Sequence, residues 1–424
     1  MGLVDLDKQF VWHPFTQMKG ALITPIVKGE GVYLIDEKGN KFIDAVSSWW
    51  VKIHGHSHPY IAEKLMQQYN ELDHVIFAGI THPKAVELAV RLVDKLPSNI
   101  DKVFYSDNGS TANEIALKLA LQYWHNQGVT KTTLVAFEGA YHGDTFGGMS
   151  VSARSMFSEP FNHHLFKTEF IPTPTNSNIE SVEEKLRAIL IKNDVAAFIY
   201  EPLVQGVRGM AMHNKLHLSR LLALAKEFGV LCIADEVMTG FGRTGTLFAS
   251  DQVEVKPDIV TLSKALTAGV MPLAVTACSN AIYEAFYSDD REKAFLHGHS
   301  FTGNALACAV ACANLDLLES EEVSKNLSDL ICWQTEFREL ISSHKGIKAA
   351  RQQGAILALE LNSSQQSGYT NELGAKAYAY FLDRGIIMRP LGNVLIIMPP
   401  YCITKEELQC IYTNVDSFLE ELFP

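Results

Sequence analysis

Five short, almost entirely apolar runs separated by helix-like segments constrain the fold more than any other feature of this sequence. Strands of this kind are buried on both faces of a mainly parallel sheet. Helical patterns at 110–128 and 216–229 lie between them, which predicts an α/β layered domain around a mainly parallel sheet. The runs are DKVFYSD at 101–107, TTLVAF at 132–137, VAAFIYEP at 195–202, GVLCIADE at 229–236 and DIVTLSK at 258–264.

Both ends of the chain are predicted to form a smaller α+β domain beside this sheet. A chain of 424 residues with 47% apolar composition can bury two cores. Residues 1–55 contain a β-like stretch, GVYLIDEKGNKFIDAVSSWW, whose EKGN predicts a hairpin turn. We therefore expect residues 1–55 and 315–424 to build the small domain and residues 56–314 to build the large one.

Composition and charge argue against nucleic acid and membranes as partners. The formal net charge is −12, and the 36 Lys and Arg residues are scattered along the chain, so a phosphate backbone is repelled. The apolar stretch Ala305–Ala313 is much shorter than the roughly 20 residues that a membrane helix needs. The amino terminus, MGLVDLDKQF, lacks the apolar core of a secretory signal.

Cysteine and histidine usage predicts a cytoplasmic protein without a metal site. The seven cysteines lie mostly in apolar segments and form no CxxC pair, which indicates free thiols in a reducing compartment. HGHSH at 54–58 and HGHS at 297–300 have no clustered carboxylate or thiolate partner, so we expect no metal there.

An aspartate and a lysine end two neighbouring buried runs. Asp235 closes LCIAD, and Lys264 follows DIVTLS 29 residues later, about one strand–helix–strand unit. Active groups of such sheets gather beyond the carboxyl ends of the strands. Each residue alone has an ordinary reading, as a helix cap or a surface lysine. Together they are what a pyridoxal phosphate enzyme needs, with a carboxylate for the pyridine nitrogen and an amine for the aldehyde carbon.

A glycine- and hydroxyl-rich helix start supplies a candidate phosphate anchor. Gly109 and Ser110 stand in SDNGST, directly before an amphipathic helix. Free backbone N–H groups and hydroxyls gather at such a positive helix end. Simple helix capping explains the same residues, so the segment becomes informative only beside the aspartate and the lysine.

With these residues assembled, the chain resembles the class III (ω-amino) aminotransferases of pyridoxal phosphate fold type I over essentially its whole length. The resemblance implies a large domain with a mainly parallel sheet of the seven-stranded type and a smaller α+β domain. GFGRTG and LSKALTAG mark the wider family. Within it, the chain resembles the branch that converts 8-amino-7-oxononanoate to 7,8-diaminononanoate in biotin biosynthesis. The motifs that carry this narrower resemblance are WHPFTQM at 12–18, SSWWVKIHGHSHP at 47–59, AGITH at 78–82, AYHGDTFGGMSV at 140–151 and MRPLGNVLIIMPPY at 388–401.

The resemblance implies roles for particular residues. Lys264 would bond the cofactor covalently, Asp235 would bind its pyridine nitrogen, and Tyr141 would pack on its ring and touch substrate. The phosphate would be held by Gly109 and Ser110, helped by His299 and Ser300 reaching across from the second subunit of a homodimer. The expected substrate contacts are Phe15, Trp49, Trp50, Tyr141, Asp144, Arg243, Lys264, Gly298 and Arg389.

Aromatic walls and a distant guanidinium suit a long keto acid with an apolar chain and one remote carboxylate. Trp49, Trp50, Tyr141 and Arg389 offer this combination. On a strand, adjacent residues face opposite ways, so one of the two tryptophans would then be structural. Phe15 stands where many members of the branch have Tyr.

The expected reaction is a two-step transamination with S-adenosylmethionine as amino donor, in which Lys264 transfers the proton. Three alternatives remain open at this point. The donor could be lysine, the enzyme could be another class III transaminase acting on a diamine or an ω-amino acid, or the chain could bind pyridoxal phosphate without turnover.

Overall fold

The computed structural model describes residues 2–365 and 368–424. No helix in these ranges is both long enough and apolar enough to cross a membrane. The strands are β1 Ile26–Glu30, β2 Tyr33–Asp36, β3 Lys41–Asp44, β4 Lys102–Ser106, β5 Thr133–Phe137, β6 Thr168–Ile171, β7 Val195–Tyr200, β8 Val204–Gln205, β9 Ala211–Met212, β10 Leu231–Asp235, β11 Ile259–Leu262, β12 Ala274–Cys278, β13 Ile347–Gln353, β14 Ile356–Leu361, β15 Ile386–Ile387 and β16 Val394–Ile397.

The helices alternate with these strands through the middle of the chain. Short 3₁₀ turns lie at Glu159–His164, Ala249–Gln252, Lys264–Thr267 and Arg291–Lys293. The α-helical segments are α1 Leu3–Phe10, α2 Ser47–Trp50, α3 Pro59–Glu71, α4 Pro83–Lys95, α5 Gly109–Asn126, α6 Phe146–Val151, α7 Ile179–Leu190, α8 Lys215–Glu227, α9 Asn280–Glu284, α10 Ala305–Leu318, α11 Glu321–Ile341, α12 Leu373–Asp383 and α13 Lys405–Leu422.

A seven-stranded sheet forms the centre of the large part, in the order β4-β12-β11-β10-β7-β5-β6. Strands β11, β10, β7, β5 and β6 pair in parallel, whereas β12 runs antiparallel between β11 and β4. Every residue of β7 and β10 is buried, as expected for strands covered on both faces. The predicted mainly parallel α/β sheet is therefore confirmed, and the five predicted runs contain β4, β5, β7, β10 and β11.

The two ends of the chain share a second sheet, in the order β1-β2-β3-β15. β3 pairs antiparallel with β2 and parallel with β15, so residues far apart in sequence lie side by side. The predicted EKGN hairpin joins β2 to β3, with Gly39 at a φ of 85°. A third sheet, β13-β14-β16, comes from the C-terminal part. The predicted division at residues 55 and 314 stays a prediction.

The Trp49–Trp50 segment is not the strand that its sequence suggests. Strand β3 ends at Asp44, and the four residues Ser47–Trp50 have φ values of 50°, 46°, 73° and 71°. The segment labelled α2 is therefore a left-handed turn and not a right-handed α-helix. Such a left-handed conformation costs about 1–2 kcal/mol per residue without glycine. The Asp44 carboxylate accepts hydrogen bonds from the Ser48 backbone N–H (2.9 Å) and hydroxyl (2.8 Å). The expectation that the two indoles face opposite ways as on a strand is therefore wrong.

Candidate active site

The carboxyl ends of the central strands open into a cavity of about 540 Å³. Strand β10 ends at Asp235, and Lys264 lies two residues beyond the end of the neighbouring parallel strand β11. Helix α5 begins at Gly109, three residues after β4. The structure thus brings together six of the predicted residues in the cavity wall: Trp50, Gly109, Ser110, Tyr141, Asp235 and Lys264.

The Asp235 carboxylate is buried and fully oriented by hydrogen bonds. Its Oδ2 accepts from the His142 ring Nδ1 and from the Asn113 side-chain amide, both at 2.7 Å. Its Oδ1 accepts from the Val237 backbone N–H at 3.0 Å. Because donors surround the carboxylate on the protein side, it is presented to the cavity in one orientation.

Lys264 occupies a strained position at the start of a 3₁₀ turn, with a φ of 41°. Its Nζ lies 5.2 Å from the centre of the Trp50 ring. Burial lowers the pKa of Lys264, while the charges of Asp235, Glu201 and Asp144 act in the opposite direction. A lysine with a lowered pKa has a larger neutral fraction, which is the form that acts as a nucleophile or base.

Helix α5 presents its positive end to the same cavity. Asn108 caps the helix by accepting from the Thr111 N–H at 3.0 Å, which leaves the first two N–H groups, of Gly109 and Ser110, directed beyond the helix end. A side chain at position 109 would place its Cβ 2.6 Å from Val237 Cγ1. Only glycine therefore allows the loop after β10 to approach the helix start this closely.

Tyr141 connects the cavity to two carboxylates. Its hydroxyl donates to Asp144 Oδ2 at 2.8 Å, and its backbone N–H donates to Glu201 Oε1 at 3.1 Å. Burial raises the pKa of the Tyr141 phenol, and Asp144 adds to this. Tyr141 therefore remains a neutral hydroxyl, fixed by Asp144 at one end and by Glu201 at the other.

An aromatic cavity of about 340 Å³ adjoins the first one. The ring of Phe15 packs edge-on against Trp49 (5.4 Å between centroids) and Phe157 (5.9 Å). Phe157 in turn packs against Tyr369 at 4.9 Å. Both Trp49 and Trp50 line this cavity, together with Val51, Tyr141, Val207, Lys264 and Leu391.

The two predicted arginines have different surroundings. Arg389 lies at the margin of the aromatic cavity, with its guanidinium carbon 4.6 Å from the centre of the Trp49 ring and one nitrogen 3.3 Å from the Phe15 carbonyl oxygen. Arg243 is fully buried and lines neither cavity. Its guanidinium faces the Tyr401 ring at 5.2 Å and donates to the Pro399 carbonyl at 3.4 Å. The structure therefore does not bring Arg243 to the site.

Gly298, His299 and Ser300 lie outside both cavities of their own chain. The Ser300 carbonyl is within 2.8 Å of His74 Nε2, and His299 Nε2 lies 3.9 Å from Asp107 Oδ1. The turn leads into helix α10 as predicted. Across residues 2–365 and 368–424, no group of three or more His, Cys, Asp or Glu could hold a metal ion.

Comparison with known proteins identifies the family. A sequence model described as aminotransferase class-III matches residues 15–419. The chain belongs to the class III aminotransferases. The adenosylmethionine-8-amino-7-oxononanoate aminotransferase of Synechococcus elongatus is 46% identical over 97% of this chain and 99% of its own length.

Two solved structures of the same fold extend this finding to three dimensions. An adenosylmethionine-8-amino-7-oxononanoate aminotransferase from Methanocaldococcus jannaschii superposes with a TM-score of 0.92 at 35% identity, covering 97% of this chain and 98% of its own. An ω-transaminase from Thermomicrobium roseum superposes with a TM-score of 0.93 at 29% identity, covering 100% and 98%. The predicted fold type I, aminotransferase activity and pyridoxal phosphate cofactor are therefore confirmed.

The residues of this class III aminotransferase fit pyridoxal phosphate. The cavity joins an oriented carboxylate, a buried amine and a helix N-terminus, which match the pyridine nitrogen, the aldehyde and the phosphate of the cofactor. These three groups of the cofactor thus each have a complementary group in the wall.

Several residues of this site were not predicted from the sequence. Glu201 is 5% exposed, lines the cavity and accepts hydrogen bonds from the Tyr141 and Gly206 N–H groups. It follows the predicted run VAAFIY as directly as Asp235 follows LCIA, so the same signal was present. His142 stands beside Tyr141 in a motif already used for the resemblance. Phe157 and Tyr369 gave no local signal, because tertiary folding alone brings them beside Phe15.

Proposed function

We propose that this aminotransferase transfers an amino group to 8-amino-7-oxononanoate and so forms 7,8-diaminononanoate in biotin biosynthesis, with S-adenosylmethionine as the donor. The observation that carries the proposal is the aromatic cavity that is lined by both Lys264 and Trp49, with the Arg389 guanidinium against the Trp49 ring. The relatives from Synechococcus elongatus and Methanocaldococcus jannaschii carry the name of this activity.

The chemistry of the acceptor suits this cavity. Its reacting carbonyl and amino carbons stand at one end of an apolar chain, and its carboxylate stands at the other. Indole, phenyl and phenol rings cover such a chain without competing for hydrogen bonds. A guanidinium at the far end pairs with the carboxylate through charge-assisted hydrogen bonds. Arg389 fits this role because its guanidinium is only half-buried and is held in place against Trp49.

Pyridoxal phosphate, when bound, supplies an aldehyde that bonds amines and a ring that delocalises the electron pair left on the substrate carbon. Lys264 would hold the cofactor, and its amine would carry the proton at the substrate carbon. Asp235 would pair with the ring nitrogen, with His142 and Asn113 fixing the orientation of its carboxylate. Gly109 and Ser110 would hold the phosphate, and Tyr141 would lie against the ring.

The contacts of the site specify the amino donor less closely than the acceptor. Asp144 is exposed and lines a smaller cavity of about 250 Å³ with Tyr141, Phe157 and Tyr369. Its carboxylate can pair with a cationic donor, which both S-adenosylmethionine and lysine provide. We retain lysine as the alternative donor. The burial of Arg243 argues against its proposed direct contact with either donor.

We propose a homodimer with shared active sites and a cytoplasmic location. Large apolar side chains are exposed on the N-terminal segment, with Trp12 at 87%, and on the segment before α10, with Leu296 at 83% and Phe301 at 63%. Exposed apolar patches of this kind favour association with a second copy. His299, Ser300 and Gly298 belong to the same segment. All seven cysteines are free thiols, which suits a reducing compartment.

A half-reaction screen tests the proposed function. Purified holoenzyme is mixed with S-adenosylmethionine or with lysine, and loss of the visible absorbance of the lysine-linked cofactor is followed. The aminated enzyme is then given 8-amino-7-oxononanoate, and the product is identified by mass. Formation of 7,8-diaminononanoate supports the proposal. Conversion of ω-amino acids or diamines with no reaction of 8-amino-7-oxononanoate would overturn it.

The matched control for the lysine assignment is Lys131. Lys264→Ala should abolish both half-reactions while the protein stays folded. Lys131 is also buried, also lies over a tryptophan (4.0 Å from the Trp124 ring centre) and also has its pKa lowered by burial. It stands outside both cavities, so Lys131→Ala should retain activity. Full activity of Lys264→Ala would contradict the assigned role.

Subunit mixing tests the shared site. A Lys264→Ala dimer and a Ser300→Asp dimer should both be inactive. A hybrid of the two has one site with native Lys264 from one subunit and native Ser300 from the other. Activity should therefore return on mixing. If Ser300 served its own subunit, no hybrid site would be intact and activity would stay absent.

A further inference from the structure

The 3₁₀ turn that begins at Lys264 is held from outside by a side chain that lies far away in sequence. Asn314, in helix α10, is fully buried and donates from its side-chain amide to the carbonyl oxygens of Ala265 and Leu266, both at 3.0 Å. These are the two residues directly after Lys264. A buried amide that donates to two adjacent carbonyls fixes the path of the backbone between them.

A second buried side chain fixes the amide itself. The ring Nε2 of His54 lies 2.9 Å from Asn314 Oδ1. Because the amide nitrogen serves the two carbonyls, the oxygen is the acceptor and His54 Nε2 is the donor. Burial lowers the pKa of His54 to about 4, so the ring is neutral at ordinary pH. The imidazole, the amide and the backbone carbonyls of the turn thus form one chain of hydrogen bonds.

The segment that contains His54 also contacts the turn on two other sides. Trp50 lies beneath the Lys264 Nζ at 5.2 Å. Gly269, with a φ of 70°, packs so closely on Val51 that a Cβ there would lie 2.7 Å from Val51 Cγ2. Residues 50–54 therefore contact the turn in three places. Trp50 lies against the Lys264 side chain, Val51 packs on Gly269 just after the turn, and His54 acts through Asn314 on the carbonyl groups.

Lys264 needs such support because its own conformation is unfavourable. A φ of 41° is uncommon for a residue with a side chain and persists only where the surroundings impose it. Without the amide, the Ala265 and Leu266 carbonyls would lose a buried donor, and the turn would relax. A displacement of about 1 Å of a reacting group is enough to slow a reaction by roughly 100-fold.

We propose that Asn314, held by His54, is a positioning residue that sets where the Lys264 amine stands in the cavity. The proposal rests on the proposed role of Lys264 as the cofactor-bonding lysine. It adds two residues that touch neither substrate nor cofactor. It also makes helix α10, which follows the His299–Ser300 segment, a direct support of the catalytic turn.

The test compares two buried asparagines with the same local role. Asn126 donates from its side-chain amide to two carbonyls, of Ala285 (3.1 Å) and Lys293 (2.9 Å), but lies away from the cavity. Asn314→Leu and Asn126→Leu both remove two such hydrogen bonds. The primary readout is the rate at which apoenzyme recombines with added pyridoxal phosphate, followed by its visible absorbance. The second readout is the pH midpoint of that absorbance in the holoenzyme.

Asn314→Leu should slow recombination by about tenfold or more and move the pH midpoint by about one unit. Asn126→Leu should lower the melting temperature by a similar amount and leave both readouts within about twofold of wild type. If the two variants behave alike in all three measurements, Asn314 has only a structural role and the proposal is overturned.

A second variant keeps the proposal testable if Asn314→Leu does not fold. His54→Gln removes the imidazole but can still donate to Asn314, whereas His54→Leu cannot. We expect the Leu variant to slow recombination several-fold and the Gln variant to recover most of the rate. In Asn314→Ala, where the two carbonyls lose their donor and His54 has no amide left to hold, adding His54→Leu should have little further effect on the recombination rate, because coupled residues are non-additive. Independent, additive effects would contradict the proposal.

These outcomes are distinguishable from failure of the proposed function. If Lys264→Ala retained activity, the lysine assignment itself would fail. If Lys264→Ala is inactive and Asn314→Leu matches Asn126→Leu, only the positioning role fails.

Discussion

The Arg389 guanidinium carbon lies 4.6 Å from the centre of the Trp49 ring, while one of its nitrogens is 3.3 Å from the Phe15 carbonyl oxygen. The indole thus holds the guanidinium by a cation–π contact and leaves its remaining N–H groups free for a ligand. The Trp49 indole would therefore have two roles. It covers the apolar chain of a substrate, and it orients the Arg389 guanidinium that binds the carboxylate at the end of that chain.

Arg389→Ala should impair the acceptor half-reaction selectively. Loss of a hydrogen-bonded charge pair costs about 1.5–3 kcal/mol, so kcat/KM for 8-amino-7-oxononanoate should fall by roughly 10- to 100-fold. The donor half-reaction should change by less than about threefold. Arg384, which stacks on Tyr380 at 3.6 Å away from the cavity, is the matched control. Equal losses in both half-reactions would contradict the assignment.

Substitution of Trp49 and of Trp50 should have different effects, one mainly on substrate binding and the other mainly on stability. Trp50 is 6% exposed and Trp49 is 38% exposed. Trp50→Ala should lower the free energy of unfolding by about 3–5 kcal/mol, since it removes a large core side chain. Trp49→Ala should cost much less stability but raise KM for the acceptor. Denaturant titrations and half-reaction kinetics on both variants check this, and similar stability losses would refute it.

A crowded glycine makes a specific rescue possible. Gly109→Ala places a Cβ 2.6 Å from Val237 Cγ1, so the helix start must shift and the affinity for pyridoxal phosphate should fall by about tenfold or more. Val237→Ala removes the clashing methyl groups. The double variant should therefore bind the cofactor better than Gly109→Ala alone. A purely additive double variant would show that the clash is not the cause.

Glu201 should make stability depend on pH. Burial raises the pKa of Glu201 to about 7, from an ordinary value of 4.5. Between these values the folded protein holds a proton that the unfolded chain has released, so stability decreases as pH rises through this window. From about pH 5 to about pH 8, wild type should lose on the order of 3 kcal/mol relative to Glu201→Gln. Parallel stability curves of the two apoenzymes would count against this interpretation.

Much of the large domain followed from local pattern. Five apolar runs gave five of the seven strands, and the positions of Asp235 and Lys264 at the ends of two adjacent parallel strands followed from them. β6 (TEFI) and β12 (AVTAC) are short and lie outside those runs. The antiparallel direction of β12 depends on which neighbours it pairs with, and the local sequence does not encode this.

The substrate side of the site depended more on tertiary contacts. Arg243 stands in GFGRTG, a motif of the wider family, and was expected to contact substrate, yet its guanidinium is buried against the Tyr401 ring and the Pro399 carbonyl. Phe157 and Tyr369 become neighbours of Phe15 only through the fold. Asn314 resembles any polar residue inside an apolar helix, and its contact with the Lys264 turn spans about 50 residues of sequence. Periodicity carries no information about such contacts.

The left-handed turn at Ser47–Trp50 has a consequence for engineering this enzyme. Four consecutive non-glycine residues in that conformation mean that a glycine at Ser48 would relieve about 1–2 kcal/mol of backbone strain. The hydrogen bond from the Ser48 hydroxyl to Asp44 would be lost, at a cost of roughly 0.5–1.5 kcal/mol. A search for heat-tolerant variants is therefore expected to find this substitution. The same substitution would loosen the backbone that directs both indoles into one cavity. Substitutions in Ser47–Trp50 should therefore change thermal stability and selectivity for the amino acceptor in opposite directions.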